Sequence, residues 1–188
     1  ITPAVLAASR SVLSEQQLEN GVAVIDLGGA TTSVAVFEEG DLQYVAVIPF
    51  GGVTITNDLA IGLKTDPEIA EKVKLAHAVA VARSDAQDIS IKHEKEVQRC
   101  NKGDIDEIVE ARLDEIFKAV QKELKKAGRA GQFPSGVVLT GGTAKLKGIT
   151  DYTKEKLGLA ARVGKPSGYG GVAENIDEPQ FATAIGLM

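Results

Sequence analysis

The segment Val22-Ala23-Val24-Ile25-Asp26-Leu27, running straight into Gly28-Gly29, constrains this chain more than any other. A nearly unbroken apolar run with one acid near its end reads as a strand covered on both faces. Paired glycines at its exit set a tight turn rather than a helix. Thr31 to Phe37 then alternates in strand fashion, Glu38-Glu39-Gly40-Asp41 reads as a second turn, and Leu42 to Phe50 is rich in β-formers. Three strands with such short connections predict an antiparallel meander.

The rest of the chain alternates helix and strand. Residues 1–20 read as a lead-in, with Ser14-Glu15-Gln16-Gln17 able to open a short helix. Gly51-Gly52 breaks the third strand. Thr56-Asn57-Asp58 supplies helix-capping types ahead of Leu59. Asp66-Pro67-Glu68 predicts an N-cap, a first-turn proline and a first-turn acid, for a helix running to about Arg83. The polar stretch 84–103, with Ile89 and Ile91 alternating, suits a small exposed hairpin. From Asp104, the series Ile105, Ile108, Val109, Leu113, Ile116, Phe117, Val120 and Leu124 follows the helical period, and Gly128, Gly131 and Pro134 end it. Val137 to Thr140 is another buried-type strand closed by Gly141-Gly142. A helix carrying Leu146, Ile149 and Leu157, a strand at 161–163 and the start of a helix after Pro179 complete the order. A meander followed by α/β units predicts a ribonuclease-H-like α/β fold with a small inserted subdomain, not a doubly wound one.

Charge and cysteine content narrow the function classes. Lys plus Arg number 21 against 26 Asp plus Glu, a net −5, which argues against binding nucleic acid through bulk basic charge. A single cysteine, Cys100, excludes an internal disulfide and a multi-cysteine zinc site, and fits a reducing compartment. No apolar run reaches the roughly 18–20 residues that span a bilayer. The chain opens on Ile1-Thr2-Pro3, without a leader pattern or an initiating methionine, so a piece of a longer protein is expected.

Two glycine turns and one helix carry the candidate chemistry. At Asp26 to Thr32, bare backbone lets amides crowd around an anion beside the threonine hydroxyls, and an acid at the strand end can hold a water of hydrated Mg²⁺. The alternative is an ordinary hairpin capped by Asp26. At Gly141-Gly142-Thr143 a flat base or ribose can lie against backbone; the alternative is a tight strand-to-helix connection. Glu71 and Lys74 share a helix face while Ile69, Val73 and Ala76 line another, so the pair either points at something polar or forms a surface ion pair of under ~1 kcal/mol. His77 has no metal partner at useful spacing and reads as structural; Cys100 has no nucleophile-activating neighbours and reads as incidental.

Taken in order, these three elements resemble the actin-like ATPase superfamily and, within it, the bacterial cell-division FtsA family. The resemblance is carried by GVAVIDLGGATTSVAVFEEGDLQYVAVIPFGGVTITNDLA, PEIAEKVKLAHAVA, EIVEARLDEIF, GVVLTGGTAKLKGI, ARVGKP and EPQFATAIGL, covering nearly the whole chain. The pilus-assembly actin homologue PilM is the nearest rival. The resemblance implies an ATP-binding lobe with subdomain 2A at 21–60 and 104–188 and subdomain 2B inserted at 60–103. It places Gly28, Gly29, Thr31 and Thr32 near the β/γ-phosphates and Asp26 near a Mg²⁺ water. Glu71 and Lys74 match the ribose- and adenine-contacting pair, and Gly141, Gly142 and Thr143 the adenosine motif. Ala30 and Ser33 stand where the family more often has glycine and aspartate.

The resemblance also implies a partner, the acidic C-terminal tail of the tubulin homologue FtsZ. It further implies actin-like self-association and a place at the inner face of the cell membrane, reached through a C-terminal helix not found in these residues. The candidate docking face is Arg112, Lys118, Lys122, Lys125 and Lys126, or else an ordinary solvated helix face. The family's first lobe brings a further Asp-x-Gly hairpin that is not found here, so these residues alone are expected to bind nucleotide weakly and hydrolyse it negligibly. A nucleotide-free interaction module is the reading of another class.

Overall fold

The computed structural model describes residues 2–81, 88–93, 96–128, 133–168 and 176–188. Seven strands lie at β1 (Val22–Leu27), β2 (Thr32–Glu38), β3 (Asp41–Ile48), β4 (Asp88–His93), β5 (Glu96–Asn101), β6 (Val137–Thr140) and β7 (Ala161–Val163). Five of them form one sheet in the order β3-β2-β1-β6-β7, and β4 and β5 pair separately. The meander β1-β2-β3 is antiparallel as expected, whereas β6 joins β1 in parallel and β7 joins β6 in parallel. Parallel pairing requires crossover connections, which the helices between these strands provide.

Among the described residues seven α-helices accompany them: α1 (Ala4–Val12), α2 (Glu15–Asn20), α3 (Gly52–Gly62), α4 (Pro67–His77), α5 (Lys102–Lys126), α6 (Ile149–Leu157) and α7 (Ala182–Gly186). One face of the sheet is covered by long aliphatic side chains. Ile55 and Leu59 of α3, Val73 of α4, and Leu113, Ile116, Phe117 and Val120 of α5 close over Ile25, Leu27, Val34 and Leu139. Fully burying each such side chain stabilises the fold by ~1.5–3 kcal/mol. Phe117 meets Tyr152 of α6 edge to face, with centroids 5.3 Å apart. The Tyr152 hydroxyl donates to Asp114 at 2.5 Å, which ties α6 to α5.

The other face is built from small residues. Val5, Ala8 and Val12 of α1 pack with Val22, Val24, Ala35, Val138 and Ala182. Residues 4–12 are therefore a core helix, which corrects their reading as a lead-in. Alanines satisfy no wide apolar stripe, so the pattern carries little signal until α7 is seen beside it. The short α2 does open at Ser14, whose hydroxyl accepts from the Gln17 amide while the Gln17 side chain returns to the Ser14 amide.

Several boundaries shift for local reasons. The helix of the third turn begins at Gly52, not at Thr56, because the amides of Gly52 and Val53 are satisfied by the Gly28 and Gly29 carbonyls. Helix α4 stops at His77 rather than continuing to about Arg83, since Val79 bridges to Lys147 in an extended conformation; Arg83 lies outside the described residues. Helix α5 starts at Lys102, where the Asn101 side chain accepts from the Gly103 amide. It ends before Gly128, which sits at φ +76°; Gly131 is outside the described residues. Leu146 belongs to the connection after a 3-10 turn (Gly142–Lys145), ahead of α6. The hairpin β4–β5 pairs in register from Asp88↔Asn101 to His93↔Glu96; residues 84–87 and 94–95 of that insert lie outside the described residues. Among the described residues no helix is long and apolar enough to cross a membrane.

Candidate functional site

Because β1 and β6 are adjacent and parallel, with Asp26 beside Thr140, both glycine bends leave the sheet at the same end. Ligands in α/β sheets characteristically lie beyond the carboxyl ends of such strands. In the first bend the Gly28 amide donates to the Thr31 carbonyl at 3.0 Å. A Cβ on Gly28 would stand 2.8 Å from that carbonyl oxygen, so the turn needs glycine. The amides of Gly29, Ala30 and Thr31 make no hydrogen bond among the described residues, and all three residues are exposed. Three consecutive exposed N–H groups form a concavity for an anion.

The carbonyls of this bend face the other way. Gly28 accepts from the Gly52 amide at 2.9 Å and Gly29 from the Val53 amide at 2.8 Å, locking α3 to the turn. The hydroxyl of Thr32 is not available beside the bend: Thr32 is buried and donates to the Phe50 carbonyl at 2.8 Å. Its side chain braces β2, which corrects the expectation that both threonine hydroxyls serve a phosphate; only Thr31 is exposed.

In the second bend Gly141 adopts φ +85°. Its missing Cβ leaves room for Asp26, whose Oδ1 would lie 2.4 Å from it. The two bends thus touch through Asp26. Burial pushes the Asp26 carboxyl above the ordinary aspartate value. The Thr143 hydroxyl donates to the Gly28 carbonyl at 3.1 Å, a second tie between the bends. The amides of Gly142 and Thr143 have no partner among the described residues.

Helix α4 closes the third side. Lys74 Nζ lies 2.6 Å from Glu71, 2.8 Å from the Thr56 hydroxyl and 3.1 Å from the Gly52 carbonyl. Thr56 in turn donates to Glu71. Burial pushes the Glu71 carboxyl up, but the Lys74 ammonium and the Thr56 hydroxyl outweigh it and hold the group below the ordinary range. The pair is therefore not an isolated surface bridge. Ala76, expected on the apolar face, is exposed instead, and Ala70 with Val73 provides the buried contact.

These groups surround one cleft of about 780 Å³, lined by Gly29, Glu71, Lys74, Gly142 and Thr143 among others. Asp26, Gly28, Thr31, Thr32 and Gly141 do not line it themselves, although Asp26, Gly28 and Gly141 hold the residues that do. Sequence reasoning missed Gly52, Thr56, Lys145 and Lys147. Gly52 and Thr56 register in the sequence only as a strand break and a cap, and the lysines only as ordinary polar residues of a connection. Lys145 pairs with Glu178 at 2.6 Å, and Lys147 also lines the cleft. With Lys74 they place three ammonium groups around it, in a chain of net −5.

Unpartnered amides, three lysines and a glycine-floored bend suit a polyanion carrying a flat group. Among the described residues no cluster of three or more Asp, Glu, His or Cys could hold a metal.

The expected partner face divides. Lys118, Lys122, Lys125 and Lys126 line a shallow groove of about 460 Å³ on α5. Arg112 does not join them: its guanidinium grips Asp58 of α3, with Nη2 2.9 Å from Oδ1, and Glu115 at 2.7 Å. Lys126 is held by Glu123 at 2.7 Å. The island of positive charge is thus the C-terminal end of α5 without Arg112.

The sheet order, the two bends and the helix closing them define an actin-like lobe. MreB5 of Spiroplasma citri bound to ADP superposes with a TM-score of 0.81 at 18% identity, over 100% of this chain and 58% of that one. The family model for cell division protein FtsA matches residues 23–186. The FtsA of Pseudomonas aeruginosa is 36% identical over 187 residues, 97% of this chain and 45% of that protein. The FtsA of Bacillus subtilis is 37% identical over 97% of this chain and 41% of its own length. The chain therefore belongs to the FtsA cell-division family, and it spans a little under half the length of these relatives.

Proposed function

We propose that these residues are one lobe of an ATP-binding site and that Mg²⁺ enters with the triphosphate, through water, at Asp26. The observation that carries this reading is the common cleft: two glycine bends from adjacent parallel strands and the Glu71–Lys74 pair open onto one space. The amides of Gly29, Ala30 and Thr31 face the phosphates, the ribose lies toward Glu71, and the base rests on Gly142 and Thr143. The ammonium groups of Lys74, Lys145 and Lys147 offset the polyanion's charge. Phosphoryl transfer needs groups on several sides of the phosphate. One phosphate bend gives binding with negligible turnover in this chain alone. Calorimetric titration with ATP and Mg²⁺ tests the reading: the unsubstituted chain shows saturable heat, and Gly142→Val, which fills the floor, abolishes it. Absence of saturable heat from the unsubstituted chain, or undiminished binding by Gly142→Val, removes the reading.

In the intact protein we propose that this lobe couples FtsZ filaments to the membrane and assembles with its own kind. The lysine groove on α5 supports the first part, because an acidic tail is steered and oriented by such a patch. Titration of an FtsZ tail peptide against Lys118→Glu and Lys122→Glu tests it. Unchanged affinity in both removes the groove as the site.

A further inference from the structure

We infer that Thr56 is a positioning residue of the cleft: through its single hydroxyl it aims Glu71 so that the second carboxylate oxygen meets vicinal hydroxyls of a ligand. This rests on the nucleotide reading above and adds to it a residue outside that reading's contacts. Thr56 is 6% exposed and lies inside α3, one turn after Gly52. A helical threonine commonly bonds back to the carbonyl four residues earlier, and the Gly52 carbonyl is 3.2 Å away. Here the charged carboxylate of Glu71 competes for the same proton and is the stronger acceptor.

Counting donors then assigns the roles. An ammonium has three N–H groups. Those of Lys74 have three partners, Glu71, the Thr56 hydroxyl and the Gly52 carbonyl, within 3.1 Å. Lys74 therefore acts on a ligand as fixed charge, not as a donor. Glu71 receives both Thr56 and Lys74 on Oε2, while Oε1 has no partner among the described residues and the side chain is 41% exposed in the cleft wall. A hydroxyl pair on a ribose is the natural donor for that remaining oxygen. Removing the Thr56 hydroxyl frees the Glu71 carboxylate to rotate and leaves one Lys74 N–H unpaired.

Calorimetric titration of the full chain with Mg²⁺ and either ATP or 2′-deoxy-ATP separates the possibilities. Expected is an approximately tenfold loss of ATP affinity in Thr56→Val, the scale of one charge-assisted hydrogen bond. The unsubstituted chain favours ATP over its 2′-deoxy analogue, Thr56→Val no longer does, and Thr56→Ser restores the preference. Glu71→Gln collapses the same ratio even if Thr56→Val fails to fold. The inference is overturned if Thr56→Val keeps the ratio, if it loses both ligands equally with a lowered melting midpoint, or if Glu71→Gln keeps the ratio. Failure of the unsubstituted chain to bind either ligand is a separate result, which overturns the nucleotide reading and this inference with it.

Discussion

The two faces of the five-stranded sheet are held in different ways. On the α3–α5 face, branched and aromatic side chains fill a thick layer. On the α1–α7 face, Ala7, Ala8, Ser11, Ala182 and Gly186 let two helices approach until backbones nearly touch. The Ser11 hydroxyl accordingly lies 2.9 Å from the Ala8 carbonyl and 2.8 Å from the Ala182 carbonyl, two acceptors for its one proton. The first arrangement is stabilised by buried area, the second by close fit. A thick layer can repack, whereas a contact between backbones has nothing to move aside.

Substitutions can break that contrast. The largest effect is expected for Gly186→Val, because a Cβ there would stand 1.7 Å from the Ala7 carbonyl oxygen. Separation of α1 from α7 and a loss of at least ~3 kcal/mol by urea unfolding are expected. Leu113→Ala, on the thick face, opens a cavity and costs ~2–5 kcal/mol, whereas Ile116→Leu costs under ~1.5 kcal/mol because the layer repacks. If Gly186→Val proved as mild as Ile116→Leu, the distinction between the faces would be wrong.

Smaller effects probe the site that the sheet supports. Arg112→Ala removes the clasp between α3 and α5 and leaves Asp58 unpaired. A cost of ~1 kcal/mol in thermal unfolding is expected, with no change in the charge of the lysine groove. The smallest and most specific is Asp26→Asn. Burial raises this carboxyl, so its protonated form contributes stability that is complete below the ordinary value of 3.8 and lost as pH rises through the higher folded value. At neutral pH the ionised Asp26 therefore opposes folding, and the amide raises the melting midpoint, with the gain vanishing in acid. Glu71 runs the other way. Its lowered value gives stability present above the ordinary 4.5 and lost as pH falls, so Glu71→Gln lowers the midpoint near neutrality and less so in acid. Two carboxyls of opposite sign in one site are thereby told apart by melting curves against pH.

Much of the architecture is legible from residue order because it depends on local periodicity. The run at Val22–Leu27, the alternation of β2 and the apolar stripe of α5 each report their own burial. The glycine bends are equally legible, since bare backbone at a strand end is a local requirement. What escaped is carried by residues without a period or a motif: the alanines of α1, Gly52 and Thr56 of α3, and Lys145 and Lys147. Arg112 misled because a cation in a basic stretch shows nothing of an aspartate 54 residues earlier in the chain.

By itself, then, the order of residues determined which segments bend, which bury and where bare backbone must stand, and it placed the chain in its family. Only the tertiary structure decided that β6 enters beside β1 in parallel, which brings Asp26 against Gly141 and makes two distant bends one cleft. It also decided which charges are held by partners and which face solvent. The reason is range: turn and period are fixed within a few residues, while the pairing of β1 with β6 and the tie from Thr143 to Gly28 join segments more than a hundred residues apart.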